Sequence, residues 1–216
     1  MAKRKSGRKL EDWRSNRPSA APGKLRIIGG RFRGRQIDYS GNQVTRPMKD
    51  NIREALFNLV GGWIPGKAVF DLFSGTGAIG IEALSRGATQ AFFIERHFPS
   101  IRILTNNVRS LDPDLTAQIE ASDTFFWCRK FFQSKESWPQ EPWVVFCSPP
   151  YDFYVDRWDE LETVIQNFLD AAPDQSILVV ESDQRFDTDR LPESDQWDIR
   201  HYSPAVVAVL KRLQAH

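Results

Sequence analysis

The chain has 216 residues, of which 41% are hydrophobic and 26% charged, the balance of a folded globular protein of about one domain. It has two cysteines, too few for a disulfide framework, and three scattered histidines without metal-ligand spacing. No apolar run reaches the ~18 residues of a membrane span. These features exclude a secreted, membrane-spanning or zinc-dependent protein and predict a cytoplasmic one with no metal ion.

Charge is divided unevenly along the chain. Residues 1–35 carry twelve Lys and Arg against two acidic residues, a local net charge of +10, and the remainder carries −9. The arm over 1–22 is typical either of a segment that contacts a polyanion or of a disordered, solubilising tail. The segment 23–45 interleaves arginines with Ile and Phe around glycines, which predicts a basic, nucleic-acid-binding β-hairpin. Its arginines are Arg26, Arg31, Arg33 and Arg35.

Helix and strand patterns alternate after this hairpin. The apolar spacing over 48–60 predicts a helix that ends at glycines. The elements predicted next are a strand over 68–73, a helix over 78–85, a strand over 90–95, a helix over 99–108, a strand over 115–121, a helix over 124–132, a strand over 143–147, a helix over 157–169, a strand over 176–181 and an antiparallel pair over 197–201 and 205–213. Such βαβ units predict that 46–216 is an α/β domain with a mixed sheet and helices on both faces.

A glycine-rich loop over 71–80, Asp-Leu-Phe-Ser-Gly-Thr-Gly-Ala-Ile-Gly, follows the first of these strands and opens a helix. Its GxGxxG spacing is typical of a site for a dinucleotide or for S-adenosylmethionine (SAM). A carboxylate at Asp71, close to Gly75, disfavours a pyrophosphate and favours the sulfonium and ammonium groups of SAM. SAM is therefore the predicted cofactor, and an NAD(P)-dependent oxidoreductase is a distant alternative. Instead of contacting the cofactor, Asp71 could serve as a structural cap on the loop.

Two more acidic residues stand at the ends of predicted strands, where ligands of open parallel sheets bind. Glu95 lies 24 residues after Asp71 and suits the hydroxyls of a ribose. Asp123 is placed either to accept the adenine amino group or to cap the helix that begins at residue 124.

The motif Ser148-Pro149-Pro150-Tyr151 ends the strand over 143–147. Two consecutive prolines form a rigid loop without N–H groups, whose carbonyls are free to accept hydrogen bonds, and the tyrosine offers a stacking face. An extruded nucleobase with an exocyclic amine requires both features. The alternative is a turn whose tyrosine packs on the core.

Four stretches, 26–35, 45–58, 71–80 and 94–95, together resemble the bacterial RsmD family of small-subunit rRNA guanine-N2 methyltransferases. The resemblance spans residues 24–212. It implies a Rossmann-like SAM-dependent methyltransferase fold with strand order 3-2-1-4-5-7-6 and the seventh strand antiparallel. It also implies a bacterial, cytoplasmic and monomeric enzyme that methylates one guanine of 16S rRNA, in the 30S subunit or its assembly intermediate.

The resemblance also implies roles for single residues. Those implied for the cofactor are Asp71, Phe73, Gly75, Thr76, Gly77, Glu95 and Asp123. Those implied for the transfer are Ser148, Pro149, Pro150 and Tyr151. Those implied for RNA are Arg26, Arg31, Arg33, Arg35, Arg46 and Arg53. The resemblance places the last two in the helix that covers the pocket, where they would close over SAM and substrate.

One position departs from the family pattern, which reads Asp-Pro-Pro-Phe/Tyr where this chain has Ser148. The guanine amine is a poor nucleophile, and a charged acceptor there stabilises the positive charge that develops during transfer. Losing it costs on the order of 2–4 kcal/mol. Three interpretations remain: an enzyme with a compensating acceptor such as Asp152, a slow enzyme, or a catalytically impaired factor that binds SAM and rRNA.

Overall fold

The computed structural model describes residues 22–39, 41, 48 and 50–212. Two short strands near the N-terminus, β1 (Gly23–Arg26) and β2 (Gln36–Tyr39), pair antiparallel as a sheet of their own. Residues 1–21 of the predicted arm (1–22) and the predicted RNA contact of Arg46 lie outside the described residues.

All the other described strands belong to one larger sheet. These strands are β3 (Ala68–Asp71), β4 (Gln90–Glu95), β5 (Ala117–Ala121), β6 (Trp143–Cys147), β7 (Ile177–Asp183), β8 (Asp198–Tyr202) and β9 (Ala205–Lys211). The helices are α1 (Asp50–Val60), α2 (Ala78–Ser85), α3 (Phe98–Leu111), α4 (Thr124–Gln133), α5 (Phe153–Asp156) and α6 (Trp158–Ala171). Of these, α5 has no counterpart among the predicted elements. No helix within the described ranges is long and apolar enough to cross a membrane.

The strands of this sheet follow the order β5-β4-β3-β6-β7-β9-β8. The pairs from β5 to β7 are parallel, and β9 runs antiparallel to both of its neighbours. Only two residues separate β8 from β9, too few for the crossover that a parallel pair needs. Counted from β3, the order is 3-2-1-4-5-7-6, so the predicted methyltransferase fold is confirmed.

Helices cover both faces of the sheet because side chains alternate along each strand. Val69 and Phe93 point to the face packed by α1, α2 and α3. Phe70 and Phe92 point to the opposite face, where they stack at 4.8 Å and meet the aromatic residues of α4 and α6. Both faces are thus buried, which leaves the strand ends as the place for a binding site.

The N-terminal hairpin is docked on α2. The Glu82 carboxylate accepts hydrogen bonds of 2.7 Å from the backbone N–H groups of both Ile28 and Gly29. At Gly30 (φ +74°) the backbones approach so closely that a Cβ would lie 1.8 Å from the Ser85 carbonyl oxygen. The connection between β1 and β2 is therefore part of the fold, packed through buried side chains of Ile27, Phe32 and Ile37.

Candidate active site

The carboxyl ends of β3, β4 and β6 lie side by side. Asp71, the last residue of β3, is in register with Phe93 of β4 and with Phe146 of β6. The glycine loop, Glu95 and the loop that begins at Ser148 therefore share one edge of the sheet.

Asp71 lies beneath the glycine loop and is 1% exposed. Its Oδ2 accepts a hydrogen bond of 3.0 Å from the backbone N–H of Gly80, so it does cap the loop. Burial raises the pKa of this carboxyl to about 7, although the Gly80 bond opposes the shift. Glu95 raises the pKa further through its like charge. A cation bound nearby would favour the ionised form of Asp71.

The glycines of the loop are required by conformation and by space. Gly75 (φ +54°) and Gly77 (φ +89°) are in the left-handed region, which other residues rarely adopt. A Cβ at Gly77 would lie 2.4 Å from a methyl carbon of Leu104. The Thr76 side chain is buried, and its carbonyl accepts a hydrogen bond from Asn107 of α3. The loop is thus held from below.

Glu95 ends β4 with both carboxylate oxygens held by the backbone. Oε2 accepts from the Gly75 N–H at 2.8 Å and Oε1 from the His97 N–H at 2.7 Å. An ionised carboxylate has about four acceptor sites, so each oxygen can also accept from a hydroxyl group. This geometry suits two vicinal hydroxyls.

Asp123 adopts the capping arrangement among the two that were predicted. Its Oδ1 accepts from the backbone N–H groups of Phe125 and Phe126 at the start of α4. Its Oδ2 lies 3.5 Å from Arg96 and 3.6 Å from Arg157. The contact with adenine remains a prediction.

Phe73, a predicted cofactor residue, lies in an aromatic cluster at the mouth of the site. The other members of this cluster were not predicted from the sequence. The Phe73 ring meets Phe125 and Phe153 edge-on, each at 6.1 Å. The Arg157 guanidinium lies 4.0 Å from the centre of the Phe125 ring. Phe153 comes from α5, whose four residues are too few to show a helical period.

The loop after β6 differs in part from the prediction. Pro149 is buried and Pro150 exposed, but the Pro150 carbonyl is not free, because it accepts a hydrogen bond of 2.9 Å from the Phe153 N–H. The Tyr151 hydroxyl donates to Oε1 of Glu181 at 2.7 Å. Glu181 lies near the end of β7, a strand end that the sequence reasoning did not consider.

Ser148 presents a neutral oxygen at the position that the family pattern gives to Asp. Its Oγ is buried and makes no hydrogen bond of regular geometry to any described residue. Asp152, the predicted compensating acceptor, is instead half exposed and pairs with Arg185 at 3.3 Å. The structure therefore does not bring Asp152 to Ser148.

The four predicted hairpin arginines are all exposed. Two of them are also tied to the end of α3: Arg31 pairs with Asp112 at 3.1 Å, and Arg35 donates to two backbone carbonyls. No hydrogen bond or ion pair within the described residues holds the Arg33 guanidinium. Arg26 and Arg33 are thus the hairpin arginines with the most freedom to meet a phosphate.

Arg53 does not fit the predicted contact with RNA. It is 1% exposed and donates to the Arg26 carbonyl at 2.6 Å and to Asp50 at 3.1 Å. Burial lowers the pKa of its guanidinium. Arg53 links α1 to the hairpin from beneath, so a polyanion on the surface cannot reach it in this conformation.

Comparison with known proteins identifies the family. The family described as "Conserved hypothetical protein 95" matches residues 25–209. Ribosomal RNA small subunit methyltransferase D of Escherichia coli (strain K12) is 32% identical over 163 residues, which cover 74% of this chain and 76% of that protein. This chain belongs to that family, the RsmD family.

Other relatives of this RsmD-family chain agree with the fold. Bacillus subtilis YlbH is 36% identical over 99 residues, 46% of this chain and 54% of YlbH. The solved structure of E. coli yhhF matches with a TM-score of 0.67 and 26% identity, over 89% of this chain and 100% of that one. A Salinibacter ruber RNA methyltransferase, solved with S-adenosylhomocysteine, matches with a TM-score of 0.55 at 14% identity, over 79% and 96%. That last likeness concerns the fold alone.

The residues at this edge fit SAM. The glycine loop contains no Lys or Arg to neutralise a pyrophosphate, while Asp71 and Glu95 place two carboxylates beside it. Two carboxylates suit a ligand that carries positive charge and ribose hydroxyls, and they do not suit a pyrophosphate. The dinucleotide alternative is therefore not supported. Among the residues described, no group of His, Cys, Asp and Glu is arranged to hold a metal ion.

Proposed function

We propose that this chain transfers a methyl group from SAM to the exocyclic N2 amine of one guanine in 16S rRNA. Its family relatives are named as rRNA methyltransferases, and its fold is that of SAM-dependent methyltransferases. The observation that carries the proposal is the pairing of β3 with β6. This pairing sets the glycine loop and the loop from Ser148 to Tyr151 on neighbouring strands, as transfer between a cofactor and a base requires.

The cofactor half would use its carboxylates in separate roles. SAM, when bound, supplies a methyl group activated by a sulfonium charge. Asp71 favours the cationic methionine end, where Phe73 and the glycine loop form the wall. Glu95 accepts from the ribose hydroxyls, because both of its oxygens are already oriented by backbone N–H groups. Asp123 is the proposed acceptor for the adenine amine.

The substrate half would hold an extruded guanine. The hydroxyl of Tyr151 is fixed on Glu181, which restricts the plane of its ring. Stacking of a base on such a ring contributes ~1–3 kcal/mol. The exposed arginines of the hairpin would contact phosphates of the same RNA and set its register.

Methyl transfer to small subunits is the direct test. Wild-type protein is incubated with SAM labelled in the methyl group and with 30S particles or deproteinised 16S rRNA from cells that lack this gene. Nuclease digestion and mass spectrometry should then find N2-methylguanosine at a single position. The Tyr151→Ala variant should lose most transfer, whereas Tyr202→Ala on the far strand β8 should keep it. Methylation of another atom or nucleotide would contradict the proposal.

A second candidate is a factor that binds SAM and rRNA without transferring the methyl group. The neutral Ser148 Oγ, in the place of a charged acceptor, favours it. Calorimetric binding of SAM, with no product on either substrate in the same assay, would decide for this candidate.

A further inference from the structure

A carboxylate is missing from the position where amine methylation needs an acceptor. The lone pair of the guanine amine is delocalised into the ring, and transfer puts positive charge on the nitrogen. A nearby anion stabilises that charge, whereas a hydroxyl is neutral and rotates freely. Ser148 alone therefore does not meet this demand.

Glu181 lies on the strand next to Ser148. β6 and β7 are parallel and pair Cys147 with Val180, so Ser148 and Glu181 are the next residues in register. Because Val179 packs with α1, α2 and α3, and Val180 does not, Glu181 is on the face that those three helices cover. Neighbouring strands lie ~4.8 Å apart, a distance that a glutamate side chain spans.

Two tyrosine hydroxyls hold Glu181, one at its carboxylate and one at its backbone carbonyl. It is 7% exposed and accepts the Tyr151 hydroxyl at 2.7 Å. The Tyr154 hydroxyl donates to the Glu181 backbone carbonyl at 2.7 Å, which fixes the strand at the same residue. Burial raises the pKa of the Glu181 carboxyl, and the hydrogen bond from Tyr151 opposes this shift. A group with a raised pKa is a better proton acceptor once ionised.

The other carboxylates near this loop point elsewhere. Asp152 and Asp183 both pair with Arg185 at the surface. Asp71 accepts from Gly80 at the start of α2. Within the described part of the chain, Glu181 is therefore the buried carboxylate that the motif tyrosine touches.

We propose that Glu181 is the acceptor for the target amine, in the role for which Ser148 has no charge. In the transfer, the N2 lone pair forms the N–C bond while the C–S bond breaks with its electrons left on sulfur. The surplus amine proton passes to the Glu181 carboxylate and from there to solvent. Tyr151 is a positioning residue for this carboxylate as well as a stacking surface. This inference rests on the proposed function and names a further residue of the same site.

The test uses full-length Glu181→Gln, with Glu162→Gln on the exposed face of α6 as the matched control. The amide of Glu181→Gln keeps an oxygen for the Tyr151 hydroxyl but carries no charge. Single-turnover transfer to 30S particles should fall at least 100-fold in the first variant and stay within two-fold in the second. The dissociation constant of SAM and the affinity for rRNA should change less than two-fold in both.

Rescue separates a chemical role from a structural one. Adding Ser148→Asp to Glu181→Gln places a carboxylate at the end of the neighbouring strand β6 and should recover at least ten-fold of the lost rate. Tyr151→Phe should slow transfer three- to ten-fold without weakening SAM binding. If Glu181→Gln does not fold, Glu181→Asp takes its place; it keeps the charge but withdraws it by one methylene, and should show a loss of about ten-fold.

Two results would overturn the inference, and they are distinguishable. Transfer at the wild-type rate by folded Glu181→Gln or Glu181→Asp would overturn it and leave the proposed function standing. No transfer by the wild-type chain, with SAM bound, would overturn the proposed function and this inference with it.

Discussion

The carboxyl ends of the parallel strands form two halves of the candidate site, and the carboxylates on these halves are held in different ways. On the half formed by β3, β4 and β5, the carboxylates of Asp71, Glu95 and Asp123 accept hydrogen bonds from backbone N–H groups. On the half formed by β6 and β7, Glu181 accepts from a side chain, the hydroxyl of Tyr151. Backbone donors keep their direction when rotamers change, so the cofactor half is organised before a ligand binds. On the other half, the hydrogen bond to the Glu181 carboxylate depends on the rotamer of one tyrosine side chain.

The most sensitive point of the cofactor half is the burial of Asp71. Burial raises the pKa of Asp71 from the ordinary 3.8 to about 7 in the folded protein. Between pH 3.8 and pH 7 the unfolded chain is ionised at this residue while the folded chain is still protonated, so the free energy of unfolding falls as the pH rises through this range. Asp71→Asn does not titrate, so it removes this pH dependence, and its amide oxygen still accepts from the Gly80 N–H. In urea unfolding, we expect the free energy of unfolding of the variant to exceed that of the wild type by an amount that grows from pH 5 to pH 8, to at most about 4 kcal/mol.

The same Asp71→Asn variant should bind SAM more weakly at pH 8, because the cation loses its counter-charge. Unfolding free energies of variant and wild type that run parallel from pH 5 to pH 8 would show that this carboxyl does not titrate as described.

A change in the loop backbone comes next in size. Gly77→Ala must adopt a positive φ, at about 1–2 kcal/mol, and also press against Leu104. We expect thermal stability and SAM affinity to fall together by about 2–3 kcal/mol. Gly62→Ala is the control, since nothing lies within 4 Å of its Cβ. Equal effects of the two substitutions would mean that the loop is not rigid.

Removal of Glu95, the proposed acceptor for the ribose hydroxyls, should have a smaller and more selective effect. Glu95→Ala should weaken SAM by ~1–3 kcal/mol through the loss of charge-assisted hydrogen bonds. Calorimetry with SAM measures this, with Glu162→Ala as the exposed control. NADP should bind neither variant nor wild type; tight NADP binding would reverse the assignment of the cofactor.

The smallest effect concerns the hairpin. Arg33→Ala should weaken rRNA binding modestly and flatten the log–log salt dependence by ~0.7, because one phosphate fewer is neutralised by the protein. Arg200→Ala, exposed on β8, should leave the slope unchanged. A slope that stays at the wild-type value in Arg33→Ala would move the RNA-binding surface away from this face of the hairpin.

The sheet was predictable from sequence because its information is local. Apolar runs such as Trp143–Cys147, separated by helical periods, determine parallel strands and so place their ends together. The glycine loop and Glu95 followed from the same pattern. The start of α1 was less accurate: residue 48 was predicted helical, and the helix begins at Asp50.

Residues whose environment depends on distant segments were predicted poorly. Arg53 is buried, and its guanidinium donates to the backbone carbonyl of Arg26 in the hairpin, a contact across 27 residues. Glu181 meets Tyr151 because β7 lies next to β6, a contact across 30 residues. Local periodicity contains neither fact. The rule about strand ends, applied to the fifth predicted strand, would have drawn attention to Glu181.

The docking of the hairpin on α2 has a consequence for how the family can vary in length. The glycine loop opens α2, and Glu82 and Ser85 near its other end hold the hairpin. The eight residues of α2 span ~12 Å, and each residue turns the helix by ~100°. A single residue inserted or deleted between Gly77 and Glu82 would rotate both anchors off the hairpin. Natural relatives should therefore tolerate insertions in surface loops of this domain and keep α2 at constant length.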